Sequence, residues 1–123
     1  MHFLNTDHRK RMTELIQRDH THERDLERQA MFYIFSGAED LYRKVNHLYD
    51  FTLQIIKPET LDTNTVDLTS SARALVRAAY SLYNGYPADV RDTFTPLDED
   101  NRRLMLEALC IRFRLNDDKE ASA

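Results

Sequence analysis

The sequence predicts an all-α protein: an irregular bundle of about five short helices, with room for one short extended segment near residues 51–68. Three observations predict this. Only two glycines and three prolines interrupt 123 residues. Leu, Ala, Arg and Glu recur throughout, and these residues lose little conformational freedom in a helix. Apolar residues return at three- and four-residue spacings along most of the chain, the period of a helix that buries one face.

The first helix is expected from about Thr6 to Gln17, capped by Asn5 or Thr6, with Leu4, Met12, Leu15 and Ile16 on its apolar side. The second is expected from about His22 to Phe35, capped by Thr21. Leu26, Ala30, Tyr33 and Ile34 share one face, and Met31 and Phe35 broaden it. "MFYIF" is apolar on nearly every side, which places the end of this helix at the centre of the core. Gly37 then suits a left-handed cap. A third helix begins near Ala38 and uses Leu41, Tyr42, Val45, Leu48 and Tyr49. "FTLQII" is read as helical, although its β-branched and aromatic residues also suit a strand. "KPETLDTNTVDLTS" is a polar connector. The fourth helix spans about Ser71 to Asn84, with Ala72, Leu75, Val76, Ala79, Leu82 and Tyr83 as its stripe and Gly85 as its stop. "YPADVRDTF" reads as a loop. "TPLD" then starts the fifth helix, with Thr95 as cap and Pro96 at the first helical position. That helix runs to about Arg114 and buries Leu104, Ala108, Leu109, Ile111 and part of Phe113. Residues 1–116 are expected to form one domain, and 117–123 a disordered polar tail.

Composition bounds the function. A chain of this length can bury roughly two-thirds of the surface it exposes when unfolded. The net charge is −4, with 41% hydrophobic and 31% charged residues. Proteins that bind phosphate backbones carry a basic excess, so the balance argues against direct nucleic-acid binding and for a protein partner. Cys110 is the one cysteine, which rules out an internal disulfide. No secretory leader pattern opens the chain, and no apolar run approaches the roughly 20 residues that span a bilayer. The expectation is a cytoplasmic protein with no membrane contact. Homo-dimerisation stays open.

"RDHTHERD", residues 18–25, is the densest cluster of chemically capable side chains. A metal reading would use His20 and His22, with His8 or Asp25 as a further ligand. Zinc requires three or four protein ligands, and only two are offered at fixed local spacing. The paired-histidine motif of zinc proteases is absent. A solvated turn whose charges cap the second helix is the simpler reading. The chain has no nucleophile elbow, and two glycines cannot build a phosphate loop or a dinucleotide fingerprint. Cys110 falls between core positions and reads as a small buried hydrophobe. No enzyme, metal or cofactor is expected.

"SSARALVRAAYSLYNGY" is more specific. Arg73, Arg77, Tyr80 and Asn84 follow one helical face at spacings of four, three and four, with Tyr86 just beyond. Stacked arginines repel unless an anion or carboxylates lie nearby. Either the face recognises acidic groups on a partner, or its arginines pair within the chain with acids such as Asp50 or Asp67. Tyr42, Tyr49, Tyr80, Tyr83 and Tyr86 are numerous for so short a chain, and serve equally as interface anchors or as the boundary of a small core.

"FLNTDHRKRMTELI", "ERQAMFYIFSGAEDLYRKVNHLYDF", "SSARALVRAAYSLYNGY" and "DTFTPLDEDNRRLMLEALCIRF" resemble a family of small uncharacterised proteins, a domain of unknown function, from phages, plasmids and integrative elements of Gram-positive bacteria. "LYDF" and "SLYNG" are the most specific pieces. His8 belongs to the pattern; His20 and His22 do not. No catalytic residue is implied. The resemblance implies a cytoplasmic protein of mobile DNA, in the class that blocks host defences by covering a surface, as anti-CRISPR proteins cover effector nucleases. The expected function is thus non-enzymatic binding of a host protein through Arg73, Arg77, Tyr80, Asn84 and Tyr86. The alternative is a small nucleic-acid-binding or regulatory protein using "HRKR" and the arginines of helices four and five. A metal-binding protein built on His8, His20 and His22 comes third.

Overall fold

Helices are set by side chains that take up the free amides at their starts. In the computed structural model, which describes residues 1–63 and 65–115, α1 spans Thr6–Asp19 and is capped by Asn5, whose Oδ1 accepts the His8 amide at 2.8 Å. The helix ends on His20 in the left-handed region, at φ 57°. Helix α2 spans Leu26–Gly37. Its cap is Asp25, which accepts the Arg28 amide at 3.0 Å, and not Thr21. The expected start at His22 is therefore four residues early: Thr21 turns its hydroxyl to Asp19 instead, at 2.6 Å. Asp25 offers two acceptors where Thr offers one, so the second aspartate of the cluster sets the helix.

The expected third helix breaks up. Glu39–Arg43 forms α3 and Val45–Leu48 forms α4. "FTLQII" is not helical. Tyr49–Asp50 (β1) pairs antiparallel with Ile55–Ile56 (β2), Tyr49 opposite Ile56 and Asp50 opposite Ile55. The carboxylate of Asp50 accepts the amides of Thr52 and Leu53, both at 2.9 Å, which closes a turn that competes with helix. Gln54 completes it at φ 57°. Phe51 lies parallel to Phe32 of α2, with centroids 5.8 Å apart. The connector that follows holds one helical turn, α5, Glu59–Asp62.

Helix α6 spans Ser70–Asn84, capped by Thr69 and stopped by Gly85 at φ 82°, as the sequence predicts. The expected loop 86–94 contains a short helix, α7, Val90–Phe94, capped by Asp89 through the Asp92 amide at 3.0 Å. Helix α8 spans Glu99–Phe113. Asp98, not Thr95, is its cap, accepting the Asn101 amide at 2.8 Å. Thr95 closes α7 instead. The expected tail, 117–123, lies outside the described residues.

Helix α2 is the axis. From Ala30 to Ser36 no residue exceeds 1% exposure. Helices α1, α6 and α8 cover it from three sides. Each large apolar side chain withdrawn from water here contributes roughly 1.5–3 kcal/mol before the ordering cost. Gly37 is not a left-handed cap: it is the last helical residue of α2, without a positive φ, and Ala38 follows in extended backbone. Its role is close approach. A Cβ there would lie 2.3 Å from Leu104 Cδ1 and 3.0 Å from His8 Cε1. Helices α1, α2 and α8 meet at this point because the side chain is missing.

Gly37→Ala is expected to lower unfolding free energy by about 1–3 kcal/mol in urea denaturation, because Leu104 is fully buried and cannot step aside. Gly85→Ala meets no atom within 4 Å and should cost only about 1 kcal/mol, through its left-handed backbone. A Gly37→Ala protein as stable as the parent would contradict the three-helix junction.

Candidate functional site

The residues that sequence reasoning placed on one recognition face divide between surface and core. Arg77 is exposed. Its guanidinium lies 5.5 Å from the centroid of the Tyr86 ring, and its Nη1 donates to Pro87 O at 3.4 Å. Asn84, also exposed, accepts the Tyr86 amide at 3.1 Å, which turns the chain and holds Tyr86 against Arg77. Arg73 is half-buried, and its Nη1 donates to Leu61 O at 3.1 Å. Tyr80 is inside, at 0% exposure. Its hydroxyl is 2.6 Å from Leu48 O and 3.2 Å from Lys57 O, one proton between two carbonyls. Burial raises its pKa, so it remains a donor. The expected placement of Tyr80 on the surface is thus corrected. The segment from α4 to α5 folds over that side of α6 and covers both Arg73 and Tyr80. Arg77 and Asn84 remain outside, and the half-buried Tyr86 ring lies between Arg77 and the buried Tyr80, 5.8 Å from the latter by centroids.

"RDHTHERD" proves to hold a buried polar cluster. Asp19 is 1% exposed. Tyr49 donates its hydroxyl to Asp19 Oδ1 at 2.7 Å, and Gln54 donates to Asp19 O at 2.8 Å. Arg28 donates to the Tyr49 hydroxyl oxygen at 3.1 Å and to Asp25 Oδ2 at 2.8 Å, with its Nε 3.8 Å from Asp19 Oδ2. Burial, then the bond to Asp19, raises the Tyr49 pKa. For Arg28, burial alone would lower the pKa, but the bonds to Tyr49 and Asp25 outweigh it and raise it. The buried carboxylate thus has a guanidinium nearby and accepts from Tyr49 and Thr21, the partners a buried charge requires. Sequence offered no signal for the Tyr49 partner, thirty positions away. His20 and His22 are exposed, and His22 Nδ1 accepts the Arg24 amide at 3.0 Å.

His8 is likewise structural. It is 1% exposed, with its ring against Tyr33 and edge-on to Phe3. Nδ1 accepts the Leu4 amide at 3.1 Å, which assigns the proton to Nε2 for donation to Tyr33 O at 2.9 Å. Both nitrogens are occupied, so His8 cannot join His20 and His22 around an ion. No group of three or more His, Cys, Asp or Glu among the described residues could hold a metal.

Two concavities among the described residues lie against the long helices α6 and α8. One, about 450 Å³, lies where the starts of α1, α3, α6 and α8 converge, lined in part by Glu39, Asp40, Asp98 and Asp100. Asp40 is paired with Lys44 and Arg43, and Asp98 caps α8. The other is an apolar groove of about 160 Å³ between α6, α7 and α8. No helix among the described residues is long and apolar enough to cross a membrane.

A family model described as "Family of unknown function (DUF6075)" matches residues 1–120. The chain belongs to this family. No curated protein and no solved structure matches it. The DUF6075 match covers α1 through α8, so the buried Asp19–Tyr49 cluster, the His8 junction and the α6–α8 groove all fall within the family unit.

Tyr49→Phe is expected to cost about 1–3 kcal/mol in chemical denaturation, since Asp19 loses a donor while staying buried; an unchanged midpoint would contradict the cluster's structural role. Burial lowers the His8 pKa below its ordinary value of 6.5, against a smaller raising effect of the Tyr33 carbonyl. The unfolded chain therefore takes up the proton first. The stability held by neutral His8 is fully present above pH 6.5 and is lost as pH falls from there through the lower folded-state value. Denaturation midpoints across pH 4–8, compared with His8→Gln, should show the slope in the parent and a weaker one in the variant.

Proposed function

We propose that this DUF6075 chain is a non-enzymatic protein-binding protein of a mobile genetic element, a stoichiometric inhibitor of a host defence nuclease of the CRISPR-effector kind. Its mechanism is occlusion: a rigid helical exterior covers a surface that the nuclease needs. The reading is supported chiefly by how the chain spends its polar side chains. His8, Asp19, Tyr49 and Tyr80 are turned inward and saturated by hydrogen bonds. Outward, the chain presents Arg77 against the half-buried Tyr86 ring on its Asn84 turn, and on α7 and α8 the exposed apolar residues Val90, Leu106 and Phe113. Aromatic and arginine side chains held in place are what binding surfaces concentrate. The association with phages, plasmids and integrative elements rests on the resemblance of the sequence segments quoted above.

The nucleic-acid alternative is supported less. Of the "HRKR" run, His8 is buried, while Arg11 lies 5.2 Å from the Tyr42 ring centroid and 4.0 Å from Glu39.

Purified chain is expected to co-elute with a Cas9-type effector at equimolar ratio and to stop target cleavage. Arg77→Glu should weaken that capture at least about tenfold with an unchanged melting temperature, because the side chain is exposed. Unimpaired cleavage across several effectors, with no co-elution, would contradict the proposal.

A further inference from the structure

Helix α8 is apolar on two opposite faces. Leu104, Met105, Ala108 and Ile111 face the core. Arg102, Leu106, Leu109 and Phe113, spaced by four, three and four, form a second stripe that looks outward. Leu106 is 56% exposed and Phe113 57%, and Val90 of α7 stands 77% exposed at the edge of the adjoining groove. The apolar part of that groove is Ala78 and Leu82 of α6, Phe94 of α7, and Met105 and Leu109 of α8, with Ser81, Asp89 and Thr93 also in the lining. One interaction inside the chain would need a single apolar face on α8; it has two.

The ends of this surface are arginines held in fixed positions. Arg102 Nε donates to Phe94 O at 3.1 Å, and Arg112 Nε donates to Leu82 O at 2.9 Å. Arg102 Nη2 also lies 3.5 Å from Thr95 O. Each arginine thus leans on a carbonyl in the last turn of α7 or α6, beside a residue that lines the groove. Ten residues of α8 separate them, roughly 15 Å, or about three helical turns. Arg77 joins the rim through its bond to Pro87 O. Among the described residues, Arg77 and Arg102 have no carboxylate within 4.0 Å, whereas Arg112 has Glu27 at 3.5 Å. The nearby acids are engaged: Asp89 caps α7, and Asp92 lies 3.6 Å from Arg91. A chain of net charge −4 has thus left two arginines, Arg77 and Arg102, without a carboxylate beside an apolar groove, while Arg112 is paired with Glu27.

We propose that this groove docks an amphipathic helix of a partner protein whose ends carry Asp or Glu. Apolar side chains at three- and four-residue spacing would cover Leu106, Leu109 and Phe113, and the acidic ends would meet Arg102 and Arg77, the two rim arginines with no carboxylate beside them. A second copy of the chain fits worse: two-fold pairing would set arginine rim against arginine rim. A nucleic acid would meet the rim but leave the apolar floor bare. The inference rests on the protein-binding reading and names the partner's chemistry.

The test is a displayed library of amphipathic helices of about four turns with randomised ends, selected on the parent protein, followed by titration of one enriched peptide. Enrichment of glutamate and aspartate at the ends is expected. Replacing those acids by lysine, or substituting Leu106→Asp, should each weaken binding at least about tenfold. Arg102→Glu should shift preference toward the lysine-ended peptide, with the melting temperature of each variant unchanged. Enrichment without acidic bias, no enrichment at all, or binding indifferent to Leu106→Asp would overturn the proposal. So would a dimer in sedimentation that Leu106→Asp dissolves, or displacement of the peptide by an oligonucleotide at equal concentration. Effector capture that Arg77→Glu abolishes but Leu106→Asp leaves intact would sink the groove and keep the protein-binding reading. Peptide binding without any effector capture would do the reverse.

Discussion

Water has to be kept from every side of Ala30–Ser36, and that requirement organises the rest of the molecule. A helix with one apolar face needs one neighbour; this stretch needs a sleeve. Helices α1, α6 and α8 supply three walls, and Phe51 at the start of the hairpin turn reaches Phe32 to add to the cover. The tightest point is where Gly37, His8 and Leu104 meet. There the packing of three helices, the tautomer of one imidazole and the lack of one methyl group are a single constraint.

The richness in tyrosine follows from the irregular parts of the chain. Three of the six tyrosines, Tyr33, Tyr49 and Tyr80, are almost wholly buried, and each sends its hydroxyl to a segment outside the long helices or at one's end. Tyr33 donates to His2 O at the amino terminus, Tyr49 to Asp19 at the close of α1, and Tyr80 to Leu48 O before the hairpin. Short elements leave carbonyls that they cannot satisfy themselves, and a buried aromatic ring with a polar tip is suited to reach them. The tyrosine excess, equally consistent with an interface, is half explained as internal fastening.

What could be read from the sequence was what local rules decide. The spans of α1, α6 and α8 and the left-handed stop at Gly85 come from periodicity and capping, and the structure places them within a few residues of expectation. Competition between neighbours was harder to read. Asp25 outcompetes Thr21 as a cap, Asp98 outcompetes Thr95, and Asp50 turns "FTLQII" into a hairpin by taking two amides. Long-range facts were not legible at all. Nothing local says that 48–61 will fold across α6 and bury Tyr80, or that Asp19 will find Tyr49. The candidate surface suffered in the same way: the arginine–tyrosine face was visible as a spacing, but Leu109 and part of Phe113 on the outward stripe of α8 were taken for core, and Phe113 is 57% exposed, because one-dimensional patterns do not say which of two apolar faces is covered.

The proposed function separates side chains that hold the fold from side chains offered to a partner. One measurement tests that division directly: an alanine scan of the whole chain in which cellular abundance and effector binding are read together. Loss of binding at His8, Asp19, Tyr49 and Tyr80 should track loss of abundance, while outward positions on α6 and α8 should lose binding at full abundance. An inward polar residue whose truncation abolishes function at normal abundance would contradict the account, because it would mean that the buried groups act chemically and do not merely support the surface.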